Sequence, residues 1–152
     1  MNPKNMWECI RLDSFDATIS FSTPQKHMIS FLQEKNVLFE KPTEKQIVFK
    51  SKMFSLDILF YVSLRFKEDK LIAITMSPNT ALEGKPLYCR YNKIQAALQN
   101  QLGFPHNSLR LIMNLLDPDN SLASWRRKEV RIKHYLLNRF GMEEIISIDL
   151  QS

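Results

Sequence analysis

The chain has 152 residues, enough for one domain with a single core, and 44% of them are apolar, which is too many for a disordered chain. Its 21 Lys and Arg exceed its 16 Asp and Glu, and the net charge of +5 permits an acidic partner or nucleic acid without requiring either. Three glycines are too few for a glycine-rich phosphate loop, and no apolar stretch is long enough for a transmembrane helix.

The beginning of the chain predicts two short strands and a helix. Residues 6–12 and 15–21 are the strands, since apolar and polar residues alternate in the second of them. The N-terminal segment has no continuous apolar region of the kind found in a signal peptide, so we expect a cytoplasmic protein. Thr23 as a cap and Pro24 in the first turn predict a helix that ends near Asn36.

The clearest pattern in the sequence lies between residues 46 and 76. After a polar turn at 42–45, residues 46–52 predict a strand, and residues 56–66 alternate without a break. A charged turn at 67–70 and the apolar segment 71–76 follow, so we predict a β-hairpin. Residues 78–86 then read as a loop.

A second helix is predicted to begin at Asn92 and to stop at Gly103, because Asn is a good cap and Gly followed by Pro105 ends helices. Residues 108–120 fit either a strand or a helix, and the alternation of leucines slightly favours a strand.

The basic segment after Trp125 also fits either a helix or a hairpin when it is read alone. Residues 56–76 and 130–150, however, align without a gap at an offset of 74, with Tyr61 on Tyr135 and Arg65-Phe66 on Arg139-Phe140. We therefore predict a second hairpin, with Ile132 and His134 facing the core and Arg131 and Lys133 facing outwards. Chance likeness between two alternating patterns remains the alternative.

These elements predict one α+β domain over residues 1–152. Its antiparallel sheet of six to eight strands carries two helices on one face. Two similar helix-then-hairpin halves, 23–76 and 92–150, would complete each other's core.

No catalytic, metal or cofactor motif is present. The three histidines are far apart in sequence, and Cys9 and Cys89 have no neighbouring ligand, so we expect inert, buried thiols. We expect Glu143 and Glu144 to be exposed after a turn, and His134 to be half-buried with a satisfied hydrogen bond. The expected activity is therefore binding and not catalysis.

The pattern W-x4-V-x-I-x-H-Y-x3-R-F-G-x-E-E-x-I-x-I (125–148), after a helix that ends in L-G-x-P, resembles small bacterial α+β proteins found beside secreted or contact-delivered toxins. That class includes immunity proteins. The resemblance implies a cytoplasmic binding module, monomeric or homodimeric, that occludes a toxin. It carries over no catalytic residue. Because immunity proteins against nucleases are usually acidic, a net charge of +5 better suits an acidic or neutral toxin.

The predicted partner-binding residues are the outward aromatic and arginine side chains of the hairpins: Tyr61, Trp125, Arg126, Arg131, Tyr135 and Arg139. The same basic run has two other interpretations. It could keep the sheet soluble and discourage edge pairing, or it could bind the phosphates of nucleic acid while Tyr135 and Trp125 stack on bases.

Overall fold

The computed structural model describes residues 5–107, 116–138 and 141–150. Within them the chain forms nine strands and two α-helices. In chain order these are β1 (Cys9–Leu12), β2 (Ala17–Ser20), α1 (Gln25–Glu34), β3 (Phe39–Thr43), β4 (Gln46–Lys52), β5 (Leu59–Lys67), β6 (Lys70–Pro78), α2 (Gly84–Leu102), β7 (Leu122–Arg127), β8 (Val130–Asn138) and β9 (Met142–Leu150). The fold is therefore α+β, as predicted.

Seven strands form one antiparallel sheet in the order β3-β4-β5-β6-β9-β8-β7, and β1 pairs with β2 in a separate hairpin. The hairpins β5–β6 and β8–β9 lie side by side because β6 pairs with β9. The basic C-terminal segment is thus a hairpin and not a helix. Its inward positions, including Ile132 and His134, are those expected from the alternation.

One face of this sheet forms the core. A row of six residues crosses it from β4 to β7, and each of the six is 0% exposed: Ile47, Leu64, Ile74, Ile148, Ile132 and Trp125. Met28 and Leu32 of α1 and Ile94 and Leu98 of α2 belong to the same core cluster. Both helices therefore cover this inner face.

The helices begin at places that the sequence reading missed. α1 begins at Gln25, with Pro24 as its cap, and no cap side chain bonds to the helix. α2 begins at Gly84 and not at Asn92, because Pro86 is tolerated in a first helical turn and Leu87, Tyr91, Ile94 and Leu98 form one continuous buried stripe. Gly103, at φ 81°, ends the helix as predicted.

The β5–β6 turn carries conformational strain. Glu68 and Asp69 have φ values of 51° and 64°, which is the left-handed pair of a tight hairpin turn. Asn-Gly or Asp-Gly is the usual sequence in such turns, because Gly has no Cβ and suits the second position, while Asn and Asp tolerate positive φ better than other residues do.

The outer edge of β7 is covered by the segment that follows α2. The His106 N–H donates to Ser124 O at 2.8 Å, and the Ser124 and Arg126 N–H groups donate to Asn107 Oδ1 at 2.9 Å and His106 Nδ1 at 3.1 Å. At the other edge, β3 contains Pro42 and pairs irregularly with β4. Both edges are therefore poor templates for adding a strand.

β3 and β7 were not predicted, but the main sheet has seven strands, which is within the predicted six to eight, while β1 and β2 form a separate hairpin. β3 lacks alternation, and Pro42 suggested a turn. β7 lies in the basic segment that was interpreted as one unit with β8. Most of the ambiguous segment 108–120 lies outside the described residues, and Pro118–Asn120 form a short 3-10 helix.

Candidate functional site

The second face of the sheet, here called the open face, is covered by neither helix. Thr75 lies in the middle of β6, the central strand, yet its side chain is exposed. Tyr61 on the neighbouring strand is 41% exposed. Since central positions of a covered sheet are buried, this face is available to a partner.

Three cross-strand rows divide the open face. The charged row runs along one end: Gln46, Arg65, Ala73, Asp149, Arg131 and Arg126. The hydroxyl row crosses the middle: Val48, Ser63, Thr75, Ser147, Lys133 and Ser124. The apolar row lies beyond it in two parts: Tyr61 and Ser77 pair on β5 and β6, next to Lys50 on β4, and Ile145, Tyr135 and Leu122 pair on β9, β8 and β7.

The structure places four of the predicted binding residues on the open face. Tyr61 and Tyr135 lie in the apolar row, and Arg126 and Arg131 face each other across β7 and β8 in the charged row. Lys50 lies 5.0 Å from the centre of the Tyr61 ring, a cation–π contact that places another positive charge beside the apolar row.

Trp125 was predicted to face outwards, and this prediction is wrong. Its side chain is 0% exposed, and the indole Nε1–H donates to Gly103 O at 2.8 Å. This hydrogen bond connects β7 to the end of α2. The error followed from reading the basic run as one outward surface, whereas the alternation of β7 turns Trp125 inwards and Arg126 outwards. Arg139, also predicted, lies outside the described residues.

A second concentration of polar groups lies inside the protein, between α2 and the strands β8 and β9. This buried polar cluster consists of Arg90, Tyr91, Gln95, His134 and Glu144. The Tyr91 and His134 rings stack at 4.0 Å, Tyr91 Oη donates to His134 O at 3.2 Å, and His134 Nδ1 lies 2.7 Å from Gln95 Oε1. These contacts hold the middle of α2 on β8.

Glu144 was predicted to be exposed, and this prediction is wrong. Its side chain is 0% exposed and its Oε1 lies 3.1 Å from Arg90 Nε, while another Arg90 nitrogen donates to Thr80 O at 2.6 Å. The inward position opposite Leu136 causes the burial. Glu143, the next residue towards the turn, is exposed as predicted.

His134 is fully buried and not half-buried, and only one of its two ring nitrogens has a partner. Burial lowers the pKa of the imidazole, against the opposing effect of the Glu144 carboxylate. His134 Nε2, Glu144 Oε2 and Gln95 Nε2 have no hydrogen-bond partner, and the first two are 3.9 Å apart. Burial, followed by the nearby Glu144 charge, also raises the pKa of Tyr91.

The acid–base groups of the buried polar cluster are shielded from solvent, since the His134 and Glu144 side chains are both 0% exposed. Across the described residues, no three His, Cys, Asp or Glu side chains come together as a metal site. The expectation of two buried thiols is wrong, because Cys89 is exposed on α2 and Cys9 is half-buried.

The sequence reading missed several members of the open face. Arg65, Lys133, Ile145 and Leu122 were not among the predicted binding residues, although Lys133 was expected to face outwards. The strand period could have assigned all four side chains to the outer face of the sheet, because each residue is next to a buried residue on its strand. The order of the strands, which brings them together, had no signal in the sequence.

The comparisons with known proteins identify no relative: no protein-family model, no curated protein and no solved structure matches the chain. Neither of the helices in the described ranges is long and apolar enough to cross a membrane.

Proposed function

We propose that this protein is a non-enzymatic binding module that docks a protein partner on the open face of its sheet. The observation that carries the proposal is the exposure of Thr75 and Tyr61 on central strands, on a face with both apolar and arginine side chains. A sheet face of a monomeric domain is normally either covered or uniformly polar.

The size and composition of the open face support this function. Six paired strands at about 4.8 Å, with about 20 Å along each strand, give roughly 500 Å², more than half of what one side of a standard interface buries. Tyrosine and arginine are the side chains most often found as binding anchors. Tyr61, Tyr135, Arg126 and Arg131 supply both kinds.

We interpret the buried polar cluster as a structural element and not as an active site. Its ion pair and its stacked rings connect α2 to β8 and β9, and its acid–base groups are shielded from solvent. Buried, hydrogen-bonded networks of this kind rigidify a core. We assign the cluster this positioning role.

The narrower proposal is an immunity protein that acts in the bacterial cytoplasm by occluding a toxin, as the resemblance of residues 125–148 implies. The toxin surface would be acidic or neutral, because the open face carries Arg65, Arg126, Arg131 and Lys133 against Asp149. No cofactor is required for occlusion.

The second candidate function is binding of nucleic acid on the same face. Two tyrosines and several cations on one sheet surface favour it, since single strands bind by base stacking and phosphate contacts. Salt separates the two candidates, because phosphate contacts weaken steeply as salt rises, whereas a protein interface with both apolar and arginine anchors weakens much less.

We also propose that the domain consists of two similar helix-then-hairpin halves, 23–76 and 92–150. At the offset of 74, Tyr61 and Tyr135 both lie in the apolar row, and Phe60 and His134 are both buried. A duplicated hairpin would account for a binding face with one tyrosine anchor from each copy.

The test is a tagged pull-down from the native cell, in the presence of nuclease and at moderate and high salt. The wild type is compared with Arg131→Glu on the open face and with Lys93→Glu on the exposed side of α2. We expect one stoichiometric protein that Arg131→Glu loses and Lys93→Glu keeps. If the partner is a toxin, its expression alone will arrest growth and co-expression with this protein will restore it.

Capture that is insensitive to Arg131→Glu, or no captured protein, would overturn the proposal. Loss of all captured material after nuclease treatment would support nucleic-acid binding instead.

A further inference from the structure

We infer that the open face accepts an amphipathic α-helix of the partner, which lies across the strands with its apolar side on the apolar row and acidic residues towards the charged row. This inference rests on the proposed protein-binding function and specifies the partner's recognition element. It follows from the order of the three rows, from their spacing and from the state of the sheet edges.

The edges argue against recognition by an added strand. His106 and Asn107 occupy the backbone groups of β7, and β3 has Pro42 and an irregular register. A partner segment must therefore lie on the face. An extended segment on the apolar row would leave its backbone groups unpaired, whereas a helix satisfies its own.

The spacing of the rows fits one helix. The apolar and charged rows are separated by four residues along each strand, or about 13 Å, close to the 10–12 Å diameter of a helix with its side chains. Between them, over β5, β6 and β9, the hydroxyl row has the short side chains Ser63, Thr75 and Ser147, which allow a helix to approach this part of the sheet closely.

The length of the rows sets the length of the helix. From Tyr61 on β5 to Leu122 on β7 there are four strand spacings in the order β5-β6-β9-β8-β7, or about 19 Å. At 1.5 Å per residue, a helix of about 13 residues spans this distance. α1 and α2 on the inner face show that this sheet already packs against helices.

The charges give the helix its polarity across the face. Arg65, Arg131 and Arg126 line one end of the open face, with Asp149 between the first two. An acidic flank on the partner helix complements them, and a basic flank would be repelled. The opposite flank meets Tyr61, Ile145 and Tyr135 and must be apolar.

The probe is a synthetic helix of about 13 residues, locked by a side-chain staple, with leucines along one flank and glutamates along the other. Two control peptides have the same composition: a scrambled sequence and a version with lysines in place of the glutamates. Binding is followed by fluorescence anisotropy, and backbone amide shifts locate it on the protein. A spin label at one peptide end reports the direction of the helix relative to the strands.

We expect the acidic helix to shift the amides of β5, β6, β9, β8 and β7 and the spin label to broaden either β5 or β7, but not both. Arg131→Glu should weaken binding about tenfold or more, and the lysine peptide should bind that variant better than the wild type. Lys93→Glu on α2 should bind like the wild type.

Equal binding of the scrambled peptide, shifts confined to the inner elements, or a helix parallel to the strands would overturn the inference. Preferential binding of a single-stranded oligonucleotide to the same amides would overturn it and the proposed function together. A cellular partner that is lost with Arg131→Glu, but that contacts the open face through loops, would overturn the inference alone.

Discussion

The ion pair between Arg90 and Glu144 gives the sharpest test of how the buried polar cluster stabilises the fold. Arg90 retains 11% and Glu144 0% of their side-chain exposure, and the joining atoms are 3.1 Å apart. Arg90→Met removes the cation and leaves a buried carboxylate without compensation. Breaking a buried pair in this way costs about 3–5 kcal/mol, which in a chain of this length lowers the melting temperature by about 10 °C.

The measurement is urea and thermal unfolding, followed by the fluorescence of buried Trp125. The matched control is Lys52→Met, which breaks a pair of 2.5 Å whose side chains are 50% and 91% exposed, and it should change the melting temperature by less than about 2 °C. The double variant Arg90→Met with Glu144→Leu leaves no buried charge and should recover most of the loss.

If Arg90→Met melts like the Lys52→Met control, the buried ion pair does not stabilise the fold. If the effects of the two substitutions in the double variant simply add, the two side chains do not stabilise each other.

Three further predictions concern the core, the strained turn and pH. Ile132→Asp should prevent folding, because it places an unpaired charge in the core, whereas Lys133→Asp one residue away should give a folded protein by circular dichroism. Asp69→Gly should stabilise the protein by about 1 kcal/mol in urea unfolding, because its φ of 64° is unfavourable for Asp; no gain would mean that the turn is unstrained. The pKa of His134 is lowered in the folded state, so stability should be full above the unfolded value of about 6.5 and decline below it as the unfolded chain gains a proton. His134→Phe should reduce this decline and His27→Gln, at an exposed position, should not; equal pH profiles would contradict the assignment.

Much of the sheet was predictable because strand alternation is a local property. The sequence assigned Ile132 and His134 to the core and Arg131 and Lys133 to the opposite side, and the structure agrees. Local patterns also located the end of α2, since Gly103 and Pro105 terminate a helix wherever it packs.

The errors arose where long-range packing decides. Trp125 and Glu144 are residue types that are often exposed in basic or acidic runs, and only the pairing of β7, β8 and β9 shows that both point inwards. The buried polar cluster joins residues of α2 to residues 39 to 54 positions later in the chain. No local pattern predicts such contacts.

Only part of the candidate site was predictable, because strand alternation is a local property and the order of the strands is not. Tyr61, Tyr135, Arg126 and Arg131 could be chosen as outward side chains of aromatic or arginine type. Their arrangement into an apolar row and a charged row depends on β6 pairing with β9, which connects the two hairpins.

The pairing of β6 with β9 also has a consequence for the way this chain is synthesised. The central strand β6 pairs with β5 and with β9, the last strand in the described order. The chain between β6 and β9, which includes α2, β7 and β8, is synthesised before β9. Protein synthesis proceeds at about 5–20 residues per second, so one hydrogen-bonding edge of β6 stays unpaired for on the order of 10 s before β9 emerges from the ribosome. During that interval the nascent chain has an apolar strand with one unpaired edge, so early dissociation or premature termination would release a fragment that is prone to aggregate.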